Sequence, residues 1–217
     1  MSKTKIIILD FDGTLGDTAA VILKTMHASI KELGLPSRTD EECAAMIGLR
    51  LVEIPPVLFP GCDVDGELYA QTYRRLFHIF NVDGAVELYP NVFDTLTELK
   101  NRGFILTIAS SRSNASLTEY VKGLNLGSMI DYVLGADDVV DGKPHPEAVN
   151  KTLEKYGFKS DEAIVVGDTV FDIQMGRNAG TRTCGVTYGN GSRESLADAT
   201  WIIDDFGQLL QVLDQED

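Results

Sequence analysis

Four polar clusters in the chain each follow an apolar run, and their residue types suit one kind of chemistry. Asp10-Phe11-Asp12-Gly13-Thr14 follows Ile6–Leu9, and Ser110-Ser111-Arg112 follows Phe104–Ala109. Gly142-Lys143-Pro144 comes after Tyr132–Leu134, behind Asp137, Asp138 and Asp141. Gly167-Asp168-Thr169 follows Ala163–Val166, with Asp172 one helical turn on. Gathered carboxylates repel one another unless a cation sits among them. Oxygen ligands without His or Cys call for a hard ion, and Mg2+ is favoured. A carboxylate held beside such an ion can serve as a nucleophile. A second one two residues away can act as general acid and then general base. A hydroxyl and a lysine can clamp the remaining oxygens of a phosphoryl group. Gly13 permits a tight turn and a close backbone approach. The set points to phosphoryl transfer.

The elements that must position these residues are legible as well. Solid apolar runs, rather than alternating ones, indicate strands buried on both faces, as in a parallel sheet. Thr183–Val186 and the weaker Trp201–Ile203 continue the series. Helical spacing lies between the runs: Val92–Lys100, Pro146–Tyr156 and Ile173–Ala179. This alternation predicts βαβ units and a doubly wound α/β sheet, in which ligands bind beyond the carboxyl ends of the strands. All four polar clusters would then converge on one edge. The stretch from about Thr18 to Leu88 breaks the rhythm, being helix-rich with no strong strand. Val21, Ile22, Met26 and Ile30 recur at helical spacing, Thr39-Asp40-Glu41-Glu42 reads as a helix start, and Leu68–Phe80 as a further helix. The expected organisation is a core of residues 1–16 and 89–217 carrying a helical cap at 17–88.

Composition excludes some functions. The 217 residues carry a formal net charge of −14. So acidic a surface repels a phosphate backbone, which argues against nucleic acid as a partner, and an anionic substrate needs a local trap. Three scattered cysteines give no disulfide framework and no metal signature. The run Ile6–Leu9 is too short for a signal-peptide core, and no stretch approaches a membrane span. A cytoplasmic protein with no membrane partner is expected.

The motifs also carry a family resemblance. Asp10-Phe11-Asp12-Gly13-Thr14-Leu15-Gly16-Asp17-Thr18 resembles the first motif of the haloacid dehalogenase-like hydrolases. Ser110, Lys143 in Gly142-Lys143-Pro144-His145-Pro146-Glu147, and Gly167-Asp168-Thr169-Val170-Phe171-Asp172 resemble the second, third and fourth, in order, so that the likeness runs from about Lys5 to Asp205. The resemblance implies a nucleophile at Asp10, which also binds Mg2+, and an acid/base at Asp12, whose backbone carbonyl joins the metal shell. It implies phosphate binding by Ser110, Ser111 and Lys143, a metal carboxylate at Asp168, and Asp172 orienting Lys143 or a metal-bound water. The insertion resembles the family's helical cap, where Gly48-Leu49-Arg50 would present Arg50 to an anionic substrate group. Arg74, Arg75 and Arg112 are weaker candidates for that task.

Within the family the wording is most similar to the phosphoglycolate phosphatase-like group, which also holds pyrophosphatases and sugar-phosphate phosphatases. The implied partner is a small phosphorylated metabolite, and the implied assembly a monomer or homodimer. Ser110-Ser111-Arg112 leans instead toward a β-phosphoglucomutase-like phosphomutase, whereas Leu15-Gly16-Asp17 reads more like the phosphatases. A non-enzymatic binding module would normally have lost Asp10, Asp12 or Asp168. Asp137, Asp138 and Asp141 read as loop acids, Asp17 as a cap or hinge residue, and His145 as a loop imidazole. His27 and His78 read as packing or surface residues.

Overall fold

The computed structural model describes residues 3–82 and 84–215. Strand β1 (Ile6–Leu9) is fully buried, as a β-branched run with no polar face must be. It pairs in parallel with β4 (Ile105–Ala109) on one side and β6 (Ala163–Gly167) on the other. Strands β5 (Tyr132–Leu134), β7 (Arg182–Val186) and β8 (Trp201–Ile203) complete a six-stranded parallel sheet in the order β5-β4-β1-β6-β7-β8. The order reverses direction at β1. That makes the crevice beside its carboxyl end the place where a doubly wound sheet binds ligands.

Alternate residues of β1 feed two cores. Ile7 and Leu9 pack in a cluster with residues of α5 (Val92–Asn101), α6 (Asn114–Gly123) and α9 (Gln208–Asp214). Ile6 and Ile8 pack on the opposite face with residues of α7 (Glu147–Tyr156) and α8 (Val170–Asn178). The six expected strands are thus all present within a residue or so. Helices α6 and α9 went unread in the sequence. In α6 only Leu117 and Val121 are buried, too thin a stripe to stand out, and α9 spans only seven residues.

The insertion after β1 holds α1 (Ala19–Glu32), α2 (Asp40–Ala44), α3 (Ile54–Leu58) and α4 (Gly66–Phe80). Their apolar faces form a separate cluster around Met26, Phe59, Tyr69 and Tyr73. Helix α2 starts where expected: Thr39 accepts the Glu42 N–H while the Glu42 carboxylate accepts the Thr39 N–H. One feature differs from a purely helical insertion. The chain leaves through β2 (Gly16–Asp17) and returns through β3 (Glu87–Leu88), which pair antiparallel. Strands of two residues carry no readable periodicity. Among the described residues no helix is long and apolar enough to cross a membrane.

Leu96 on α5 is fully enclosed in the larger core cluster. Truncation leaves a cavity the sheet cannot refill, so Leu96→Ala lowers stability by about 2–5 kcal/mol. Urea unfolding reads this as a lower midpoint at unchanged slope. A loss below about 1 kcal/mol contradicts the packing described.

Candidate active site

The carboxyl edge of the sheet delivers the polar clusters to one place. Asp10 follows β1, Ser110 follows β4 and Asp168 follows β6, and all three are buried. The loop after β5 brings in Lys143, also buried. Its Nζ donates to Asp10 Oδ1 at 2.5 Å and to Asp172 Oδ1 at 2.6 Å. Asp172 lies in the first turn of α8, and its other oxygen accepts the N–H and hydroxyl of Thr169 at 3.0 and 2.7 Å. Asp168 accepts from Thr14 Oγ1 at 3.2 Å, and from the backbone N–H and Nδ2 of Asn190 at 2.7 and 2.9 Å.

Two glycines make this crowding possible. Gly13 has φ +86°, and a Cβ there would lie 2.1 Å from Asp168 Oδ2. A Cβ on Gly167 would lie 2.3 Å from the Asp172 side chain. Only glycine meets both demands.

The charges do not balance. Oxygens of Asp10, Asp168 and Asp172 lie within 4.8 Å of one another, and a single ammonium stands among them. Burial raises the Asp10 carboxyl well above its ordinary range; Lys143 opposes this, while Asp172 and Asp168 add to it. Burial, with Asp172 beside it, pushes Asp168 up to about 7. Lys143 is held firmly protonated: burial opposes its charge, but Asp10 and Asp172 outweigh it. A surplus of buried carboxylate oxygens with no nitrogen or sulfur donor fits a hard divalent cation.

Asp12 points elsewhere. Arg112 Nε and Nη2 donate to its two oxygens at 3.1 and 2.6 Å, a fork-on-carboxylate pair. This pair faces a cavity of about 510 Å3 between the sheet edge and the insertion. Asp10, Ser110, Ser111 and Arg50 line the same cavity. Ser111 Oγ donates to Gly48 O at 2.5 Å, and Arg50 Nη2 to Val140 O at 2.6 Å, so both bridge insertion and core.

The structure therefore brings Asp10, Lys143, Asp168 and Asp172 into direct contact or close approach, and sets Asp12, Ser110 and Ser111 around the cavity beside them. The loop acids make local contacts. Asp137 accepts the Asn114 N–H, Asp138 accepts from Asn114 Nδ2 and the Gly135 N–H, and Asp141 is exposed. Asp17 accepts weakly from the Tyr89 hydroxyl at 3.4 Å, and His27 meets Asp40 on the surface. Sequence reasoning missed Asn190 and underrated Arg112. The small-residue run Gly189-Asn190-Gly191 after the β7 strand was the available signal for the first.

A model of the haloacid dehalogenase-like hydrolase family matches residues 7–186. The chain belongs to that family. It is 29% identical to a phosphoglycolate phosphatase of Vibrio cholerae, over 98% of each chain. It is 32% identical to the pyrophosphatase PpaX of Anoxybacillus flavithermus, over 95% of each. A solved structure from Bacteroides fragilis superposes with a TM-score of 0.89 at 26% identity, covering 95% of this chain and 100% of that one. The protein is thus an enzyme of this hydrolase family, with the family's fold.

The raised carboxyls of this hydrolase have a measurable consequence. In the folded, metal-free chain Asp168 holds its proton to about pH 7, whereas unfolded it loses it near pH 4. Its contribution to stability is therefore present at low pH and lost as pH rises through that window. A divalent cation held there would bind the deprotonated form. Any rise in melting temperature on adding a divalent cation is accordingly larger at pH 8 than at pH 5.5, read by thermal denaturation at fixed ionic strength. An increment independent of pH contradicts the charge imbalance.

Proposed function

We propose that the protein hydrolyses a small phosphate monoester with the aid of Mg2+, through an aspartyl-phosphate, an acyl phosphate, formed on Asp10. The observation that carries this reading is Asp10 itself. It is a buried carboxylate at the end of the central strand, 2.5 Å from the Lys143 ammonium and close to Asp168 and Asp172, and it lines the cavity that Asp12 also faces. The likeness to enzymes named phosphoglycolate phosphatase and pyrophosphatase supports it.

Asp10, Asp168 and the backbone carbonyl of Asp12 are the groups that would hold the cation. When bound, it supplies the positive charge that lets the crowded carboxylates ionise together and that polarises a phosphoryl oxygen. An oxygen of Asp10 attacks phosphorus, an Oδ–P bond forms, and the bond from phosphorus to the ester oxygen breaks. Asp12 gives its proton to that leaving oxygen. The Asp12 carboxylate then takes a proton from the water that attacks phosphorus. The Oδ–P bond breaks, inorganic phosphate departs and Asp10 is restored. Lys143, steadied by Asp172, and Ser110 with backbone N–H groups near Phe11, Asp12 and Ser111 bind the phosphoryl oxygens throughout.

Residues 17–88 serve in this reading as a cap over the core of residues 1–16 and 89–217. The cap keeps water from the reacting centre. Arg50, already committed to Val140 O, acts as a closing contact between the two. A cytoplasmic place of action accords with the free thiols Cys43, Cys62 and Cys184. Pyrophosphate is the second candidate substrate, favoured by the 32% identity to PpaX.

The test is phosphate release with Mg2+ from phosphoglycolate, pyrophosphate and several sugar phosphates. Asp10→Asn lowers kcat by about 10^4-fold or more, the scale seen when a covalent nucleophile is lost; undiminished turnover in the purified variant would sink the mechanism. Asp12→Asn retains labelled phosphate on the protein after acid quench, because the hydrolytic step loses its base. An unlabelled Asp12→Asn protein that turns over normally removes Asp12 from the reaction.

A further inference from the structure

Arg112 stands where a substrate's leaving group must lie. The guanidinium is nearly enclosed, with 10% of the side chain exposed. It is fixed between two rings: its central carbon lies 4.7 Å from the centre of Phe77, on α4 of the insertion, and 5.1 Å from that of Tyr120, on α6 of the core. Tyr120 is in turn stacked on Phe11 at 5.0 Å and donates its hydroxyl to Asn81 at 2.7 Å. The orientation of the guanidinium is thus set by packing rather than by solvent.

Its donors are only partly used. Nε and Nη2 go to Asp12, and Nη1 donates to Ser116 Oγ at 3.3 Å. A guanidinium has five N–H groups, so two have no acceptor among the described residues. Arg50 also lines the cavity, its Nη2 donating to Val140 O and its buried Nε without a hydrogen-bond partner among the described residues, but it is Arg112 whose guanidinium grips Asp12; Arg74 is exposed on α4.

We propose that Arg112 determines specificity by binding a second negative charge on the leaving group, a carboxylate or phosphate one or two atoms beyond the ester oxygen. The inference rests on the reading that Asp12 serves the leaving oxygen. An ester oxygen hydrogen-bonded to Asp12 lies within two hydrogen bonds of the Arg112 fork, since Asp12 and Arg112 are already 2.6 Å apart. An anion just beyond that oxygen is then within reach of the free N–H groups. A neutral sugar or alcohol offers them nothing to bind. Ile47 and Phe77 line the cavity beside it, and their low local dielectric strengthens the contact. A strongly acidic protein that handles a doubly anionic substrate needs such a fixed positive group.

The experiment compares kcat and KM for phosphoglycolate, pyrophosphate and 2-hydroxyethyl phosphate in the wild-type protein, Arg112→Met and Arg112→Lys. Arg112→Met keeps an unbranched apolar stem between Phe77 and Tyr120. It lowers kcat for all three substrates by a shared factor, because Asp12 loses its partner. KM rises about 100-fold for the two anionic leaving groups and hardly moves for the neutral one, the scale of a lost buried charge pair. Arg112→Lys keeps the charge without the fork and recovers part of that KM. Loss of kcat/KM in equal proportion for all three substrates overturns the assignment and leaves Arg112 a support for Asp12 alone. Should Arg112→Met fail to fold, Arg112→Gln carries the same comparison. Wild-type protein that releases phosphate from none of the three overturns the phosphatase reading itself, and this inference with it.

Discussion

The Lys143 ammonium, between Asp10 and Asp172 and almost sealed from water, holds the centre together. Two buried carboxylates without it would be uncompensated charge in a poor dielectric. The loop that carries it is fastened from several directions. Glu147 at the start of α7 accepts the N–H groups of Val140 and Asp141, and its carboxyl is pulled down to about 2 by the Asp141 N–H, Lys151 and the Val140 N–H. Asn178 at the end of α8 donates to Pro144 O at 3.0 Å, and Arg50 reaches Val140 O from the insertion. A long flexible side chain is thereby held to a single place. The cluster remains short of positive charge: the hydrogen bonds to Asp168 among the described residues come from the neutral Thr14 and Asn190.

Two kinds of carboxylate result, set apart by their surroundings. Asp10 and Asp168 lie in a dry, crowded group whose negative charges outnumber its cations. Asp12, two residues from Asp10, is matched one to one by a guanidinium and faces open space. In the proposed mechanism these surroundings must be offset: a bound cation would let Asp10 ionise as the nucleophile, while the guanidinium favours the ionised Asp12 that serves as base.

Much of this was legible in the sequence. The solid apolar runs gave the strands because a central parallel strand has no polar face, and Ile6–Leu9 could be little else. Asp10, Asp12, Lys143 and Asp168 could be found because polar clusters of the right types recur, in order, beyond the carboxyl ends of the strands, where such a sheet binds ligands. What escaped notice had weak local signals. Helix α6 buries two apolar residues, and β2 and β3 are two residues each. Asn190 reaches Asp168 across 22 positions, and Arg112 reaches Asp12 across 100. Such pairings come from tertiary closure, which no local pattern encodes. Arg112 could be seen in the sequence as a cation; that it grips Asp12 between two aromatic rings could not.

The short ribbon of β2 and β3 has a wider meaning. The whole insertion leaves and re-enters through neighbouring strands paired Gly16 to Leu88 and Asp17 to Glu87. To the sheet, some seventy residues are topologically equivalent to a hairpin turn. Segments whose ends lie side by side are the ones that domains accept as insertions with least disturbance. The buried carboxylates at the sheet edge and the helical wall of the cavity can therefore evolve at different speeds. A different helical segment grafted onto the same two strands would leave Asp10, Lys143 and Asp168 in place while changing the wall that faces them.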